Sequence, residues 1–205
     1  MELDPRRTTV LAIHCQGDIV GPDGAYASFF REQIDAHNTL GVIGSVIRAA
    51  RAAAVPVIFT RVAFAADYAN LNPSNALLAS ASEMGCLLDG SPQAEIVEEL
   101  GVESGDEMLT HQRVGAFAGT DLHERLQARG IDTLVLTGVA TNMSVETTAR
   151  YASELGYRTI LVGDAMTATT QAAHDATLAS MAMLAEVAAS DDVITALRSV
   201  TAEPV

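Results

Sequence analysis

The chain contains no lysine, and all twelve of its basic residues are arginine. No side-chain amine is present to form a Schiff base or act as a catalytic ammonium, which excludes lysine-dependent mechanisms. Basic charge is scarce in general: the net charge is −14, and no basic stretch is available to neutralise phosphates. Nucleic acid is therefore not an expected partner, whereas an acidic surface favours solubility. With only two cysteines, Cys15 and Cys86, the chain has neither a secreted disulfide framework nor a CxxC metal pair. Two reduced, buried thiols are expected. No apolar run approaches the ~20 residues of a membrane span, and Met1 to Arg7 lack the apolar core of a signal peptide. No membrane partner and a cytoplasmic location are expected. Composition breaks, repeats and low-complexity tracts are also lacking, so residues 1–205 read as one domain with a substantial core.

What is present is a repeated strand-then-helix pattern. Thr8 to Ile13 is a near-continuous apolar run ending in His14, Gln16 and Asp18, typical of a strand covered on both faces. Strict alternation would point His14 and Cys15 in opposite directions, with Cys15 beside Leu11 and Ile13. Ala25 to Ala53 reads as one long crossover helix with His37 on its surface, and Pro56 to Val62 as the second strand. Ala63 to Gly90 has weak periodicity around Asn70 to Asn75, so a long loop with short helical turns is expected. Such a loop is expected to cover a pocket or line an oligomer interface. Glu107 to Thr110 is a strand presenting His111. Gly119 to Leu122 then opens a helix with Thr120 as N-cap and His123 on its solvated face.

Thr133 to Thr137 is a buried strand closed by Gly138, and Val145, Thr148, Ala149, Ala152 and Leu155 recur at helical spacing before Gly156. Ser144 falls in the first helical turn, at the carboxyl edge where ligands of parallel sheets bind. A strand from Arg158 ending at Asp164, a helix over Gln171 to Leu184 carrying His174, a short strand at Glu186 to Ala188 and a helix from Ser190 follow. Six strands separated by helices predict a three-layer α-β-α sandwich around a mostly parallel, doubly wound sheet.

The run from Gly138 to Arg150, GVATNMSVETTAR, with Ala116 to Leu122 upstream and Gly156-Tyr157 and Gly163-Asp164-Ala165 downstream, resembles the isochorismatase-like, or cysteine hydrolase, superfamily. The resemblance spans roughly Thr8 to Leu197 and keeps the motif order. It implies an α/β hydrolase fold, a homodimer or homotetramer, no cofactor, and a small-molecule substrate with an amide, ester or enol ether bond. The family's aspartate, lysine and cysteine fall at His14, His111 and Ser144. The family also implies a cis peptide between Val139 and Ala140, and an oxyanion site formed by the amides of Ala140 and Ser144. Gln16, Asp18, Phe117, Val139 and Thr141 are expected around the substrate, with Asp18 orienting an imidazole or serving as a turn residue. Metal-binding relatives carry aspartate and histidine ligands after the second strand. This chain has only Asp67 there and no histidine between His37 and His111, so no metal site is expected.

The three substituted positions still carry groups competent for proton transfer or nucleophilic attack. A serine hydroxyl needs a neutral base, which either histidine supplies, and two imidazoles in one pocket resist double protonation. With an ordinary pKa near ~6.5, activity would fall around pH 6 to 7. His14 acting as an acid on an enol ether is a second route, and a water held on metal by His14 and His111 a third. The alternative to all three is a pseudoenzyme that keeps fold and pocket and binds a small molecule or another protein.

Overall fold

The computed structural model describes residues 1–200. Residues 201–205 of the expected domain lie outside the described residues. The chain runs through β1 (Thr8–Ile13), a short α1 (Gly17–Val20), α2 (Ala27–His37), α3 (Thr39–Ala52), β2 (Val57–Val62), α4 (Ala76–Met84) and β3 (Glu107–His111). It continues through α5 (Leu122–Ala128), β4 (Thr133–Val139), α6 (Glu146–Glu154), β5 (Arg158–Thr167), α7 (Gln171–Met181), β6 (Glu186–Ala188) and α8 (Ser190–Val200). The six strands form one sheet in the order β3-β2-β1-β4-β5-β6, and every pair is parallel. Among the described residues no helix is long and apolar enough to cross a membrane.

Alternation along the central strands builds two cores. Val10, Ala12, Val135 and Val162 face one side, where Ile34 of α2, Ile43 and Ile47 of α3, and Val193 and Leu197 of α8 pack on them. Leu11, Ile13, Leu134, Leu136 and Leu161 face the other side, against Leu122 and Leu126 of α5, Ala149 and Ala152 of α6 and Met181 of α7. With both faces covered, every residue of β1 and β4 is buried, which is why neither strand shows a polar stripe.

Two elements differ from expectation. The single helix over Ala25 to Ala53 is two, because Asn38 adopts a left-handed conformation (φ 49°) that closes α2 and opens α3. Asparagine tolerates that region, so helical periodicity carries on across the break without announcing it. The strand expected to end at Asp164 runs to Thr167. Asp164 instead accepts hydrogen bonds from the Ser190 amide (2.7 Å) and hydroxyl (2.6 Å), fixing the start of α8.

The order reverses between β1 and β4, and their carboxyl ends meet at the Ile13–Gly138 register pair. Gly138 has φ 115°, and a Cβ there would sit 2.1 Å from the Ile13 carbonyl oxygen. Only glycine fits both the conformation and the approach. Gly138→Ala is expected to cost at least about 2 kcal/mol of stability, from backbone strain and overpacking together. Urea unfolding measures this, and an unchanged midpoint would show that the approach does not constrain the fold.

Candidate active site

Each chemical group arrives from the end of a strand. His14 directly follows β1, its amide bonded to the Thr60 carbonyl at 3.0 Å, in a left-handed conformation of φ 54°. That step breaks the strand alternation. Cys15 consequently packs with Val10 and Ala12 rather than beside Leu11 and Ile13, correcting the expected face. Its thiol is fully buried, and burial pushes it up to about 12, which leaves no thiolate for attack. His111 closes β3 opposite Val62 of β2, and its Nε2 lies 3.0 Å from Nε2 of His14.

The imidazole pair is sealed off, His14 being 4% and His111 1% exposed. Burial, and then the second imidazole, hold His14 well below its ordinary value. Burial alone drives His111 down to about 4, with the Arg113 backbone opposing weakly. Both rings are therefore neutral at pH 7, and the 3.0 Å contact requires that one Nε2 donate and the other accept. Nδ1 of His111 is buried without a hydrogen-bond partner among the described residues. When the proton of His14 sits on Nε2, that of His111 sits on Nδ1 and Nδ1 of His14 is left as an acceptor. Nδ1 of His14 makes no hydrogen bond among the described residues.

Ser144 lies in a π-helical turn, Thr141–Val145, that joins β4 to α6. The peptide between Val139 and Ala140 is cis. The Ala140 carbonyl accepts from the amides of Met143 and Val145, each at 3.1 Å. Thr148, one turn into α6, donates its hydroxyl to the Ser144 carbonyl (2.7 Å) and accepts from the Ala116 amide (3.1 Å). One buried threonine thus bolts the serine turn to the loop after β3. The Ser144 hydroxyl itself makes no hydrogen bond among the described residues, to either imidazole or to anything else.

His14, Val139, Ala140 and Ser144 share one cavity of about 60 Å3. Its remaining wall is largely apolar. Phe64, Leu78, Ala81 and Leu87 of the segment expected to cover a pocket or an interface close it from one side, so this segment covers the pocket. The loop after β3 adds Val114 and Arg113, a cavity residue that motif reading missed although it stands only two positions beyond His111. His111 itself does not line the cavity but backs His14.

Four residues expected at the pocket are placed elsewhere, because their polar or aromatic groups are already engaged. The Gln16 carboxamide clamps Val62 and Ala94 through three backbone hydrogen bonds. Asp18 accepts from the Leu87 amide at 2.7 Å, so it anchors the covering segment and holds no imidazole. Phe117 stacks against Tyr151 and Tyr157 in the opposite core. The Thr141 hydroxyl pairs with Nδ1 of His174 on α7 at 2.9 Å. Other details shift as well. His123 pairs with the Tyr157 hydroxyl at 2.8 Å instead of standing in solvent; Asp121 holds the position before α5 without a side-chain cap bond, while the Thr120 hydroxyl accepts from the Leu122 amide at 3.4 Å. No group of three histidine, cysteine or acidic side chains is placed to hold a metal ion among the described residues.

The depressed histidines couple folding to pH. An unfolded His111 titrates near ~6.5 and the folded one near about 4, so between these values the unfolded chain binds more protons. The contribution is fully present above ~6.5 and is lost as pH falls toward 4. Denaturation midpoints are expected to drop between pH 6.5 and 5, above most carboxylate titrations, and His111→Gln is expected to flatten that slope. An equal slope in the variant would remove His111 as its cause.

Comparison with known proteins agrees with this fold. The Isochorismatase domain matches residues 8–192. An uncharacterised isochorismatase family protein of Bacillus subtilis, YwoC, is 53% identical over 85 residues, covering 42% of this chain and 45% of that protein. The ureidoacrylate amidohydrolase RutB of Methylobacterium radiotolerans is 33% identical over 195 residues, covering 87% of this chain and 74% of RutB. The crystal structure of a cysteine hydrolase from Pseudomonas syringae superposes with a TM-score of 0.86 at 27% identity, over 98% of this chain and 96% of that one. The match of residues 8–192 to the Isochorismatase domain, with a superposition over nearly the whole chain, places this chain in the isochorismatase family of hydrolases.

Proposed function

We propose that the protein hydrolyses a small amide or ester by acyl transfer to Ser144, with His14 as base and His111 as the group behind it. The observation that carries this reading is that His14, a neutral imidazole with no partner on Nδ1, and Ser144, whose hydroxyl also has no partner, line the same cavity. His14 Nδ1 takes the Ser144 proton as Oγ attacks the carbonyl carbon. The imidazolium that forms donates from Nε2 to Nε2 of His111, which occupies the orienting position that an aspartate fills in Ser-His-Asp centres. The proton then passes to the leaving amine or alcohol, and a water deprotonated by the same nitrogen hydrolyses the acyl-serine. Ala140 and Ser144 both border the cavity, and their amides are the proposed donors to the developing oxyanion. The amide substrate named for RutB favours C–N over ether cleavage, and a base with its ring nitrogen free of proton suits acyl transfer better than protonation of an enol ether.

A second reading rests on its own observation: no hydrogen bond joins the Ser144 hydroxyl to either imidazole among the described residues. In that reading the protein binds a small molecule without turning it over. Ser144→Ala separates the two. Under acyl transfer it is expected to lower kcat about a thousandfold or more while binding persists, and a fluorophosphonate is expected to add its mass at Ser144 in the wild type only. No adduct at Ser144, and no turnover across a panel of small amides and esters, would leave the binding reading. The depressed pKa of His14 moves the acid limb of kcat/KM well below the pH 6 to 7 expected of an ordinary histidine.

Assembly as a homodimer or homotetramer belongs to the same proposal. Met183, at 87% exposure, stands beside Leu184 and near Val187 on the surface around the end of α7, apolar area that association would cover. Light scattering at micromolar concentration is expected to give a multiple of 21.5 kDa. A monomer would refute the assembly without touching the chemistry.

A further inference from the structure

We infer that the cavity takes a small monocarboxylate-bearing ligand, with Arg113 as the residue that recognises the carboxylate and so determines specificity. The inference rests on the reading of the cavity as a substrate site and adds the charge of what enters it. Arg113 borders the cavity half-buried, and its guanidinium meets no hydrogen-bond acceptor or carboxylate among the described residues. Acids are not in short supply, since the chain holds 26 of them against twelve arginines. Arg51 meets both Glu103 and Asp106, and Arg61 meets both Asp89 and Glu95. A partly desolvated guanidinium with no internal acceptor is satisfied by one that arrives with the ligand.

The rest of the wall defines that ligand. His14 and His111 are neutral, so Arg113 supplies the positive charge of the cavity. Phe64, Leu78, Val114 and Met143 surround the space with apolar groups. A planar carboxylate accepts two parallel N–H bonds from one guanidinium, the fork that Arg113 alone can supply here. A short apolar body that carries one carboxylate for Arg113 and one scissile group for Ser144 matches this lining. The acidic remainder of the surface opposes anions only weakly at this point, since salt screens charges beyond ~8 Å.

The test compares isovalerate with its near-isosteric neutral partner isovaleramide, titrated into the Ser144→Ala protein so that no turnover intervenes, with binding read by calorimetry or protein NMR shifts. Isovalerate is expected to bind tenfold or more tightly than the amide, Arg113→Gln to bring the two within about twofold, and Arg113→Lys to keep part of the preference as a point charge without the fork. Equal binding of the two probes, binding of neither, or a preference that survives Arg113→Gln overturns the inference. Turnover by the Ser144 protein is scored separately. A carboxylate preference lost in Arg113→Gln, with no amide or ester hydrolysed, keeps the recognition and removes the hydrolase reading. Hydrolysis of neutral and carboxylate-bearing amides at equal kcat/KM, unaffected by Arg113→Gln, does the reverse.

Discussion

The rest of the site depends on how closely β4 passes β1 at their carboxyl ends. The Ile13 carbonyl occupies the place where a side chain on residue 138 would begin, at 2.1 Å from an added Cβ. Because glycine permits that approach, the two chains leave the sheet side by side at its switch point. One continues into His14 and the other, through Ala140, into the turn that carries Ser144. The left-handed step at His14 and the π-helical turn at Thr141–Val145 both follow immediately. The catalytic candidates are thus consequences of a backbone contact made where the strands end, and the covering segment only closes what that contact has opened.

Within this frame the electrostatic choice is neutrality. A buried Asp-Lys pair would have to compensate two charges removed from water, each at a penalty of several kcal/mol. Two imidazoles avoid that cost by remaining uncharged and sharing one proton across 3.0 Å. The arrangement keeps one ring nitrogen available as a base and leaves Arg113 as the cavity's positive group. It also makes the site sensitive to acid, since protonating His14 places a charge in a cavity with no carboxylate among its described lining residues.

Several polar residues flanking the motifs serve the scaffold. Gln16 ties β2 to the turn at Pro92–Ala94, Asp18 holds the covering segment by the Leu87 amide, and Thr141 engages His174. Each is buried, and a buried polar group must find a partner. Gln16 and Asp18 found backbone groups of neighbouring segments and Thr141 found the imidazole of His174, so these side chains are engaged away from the cavity. Motif adjacency places a residue near a site. It does not say which competing partner its side chain will take.

The sequence by itself determined the order and type of nearly every element and the sheet's parallel winding, because strands buried on both faces and helices with one apolar stripe leave unmistakable periodicities. It also put His14, His111 and Ser144 at strand ends, since the glycine after β4 and the polar residues after β1 mark where those strands stop. Only the tertiary structure decided what needs through-space distances or a non-repeating dihedral. The break of one expected helix at Asn38, the turning of Cys15 into the first core and the extension of β5 past Asp164 each hinge on a local conformation that periodicity averages over. Likewise, the pairing of His14 with His111, 97 positions apart, and the arrival of an unpartnered Arg113 at the cavity arise from contacts between distant segments. A pattern read along one chain has no access to them.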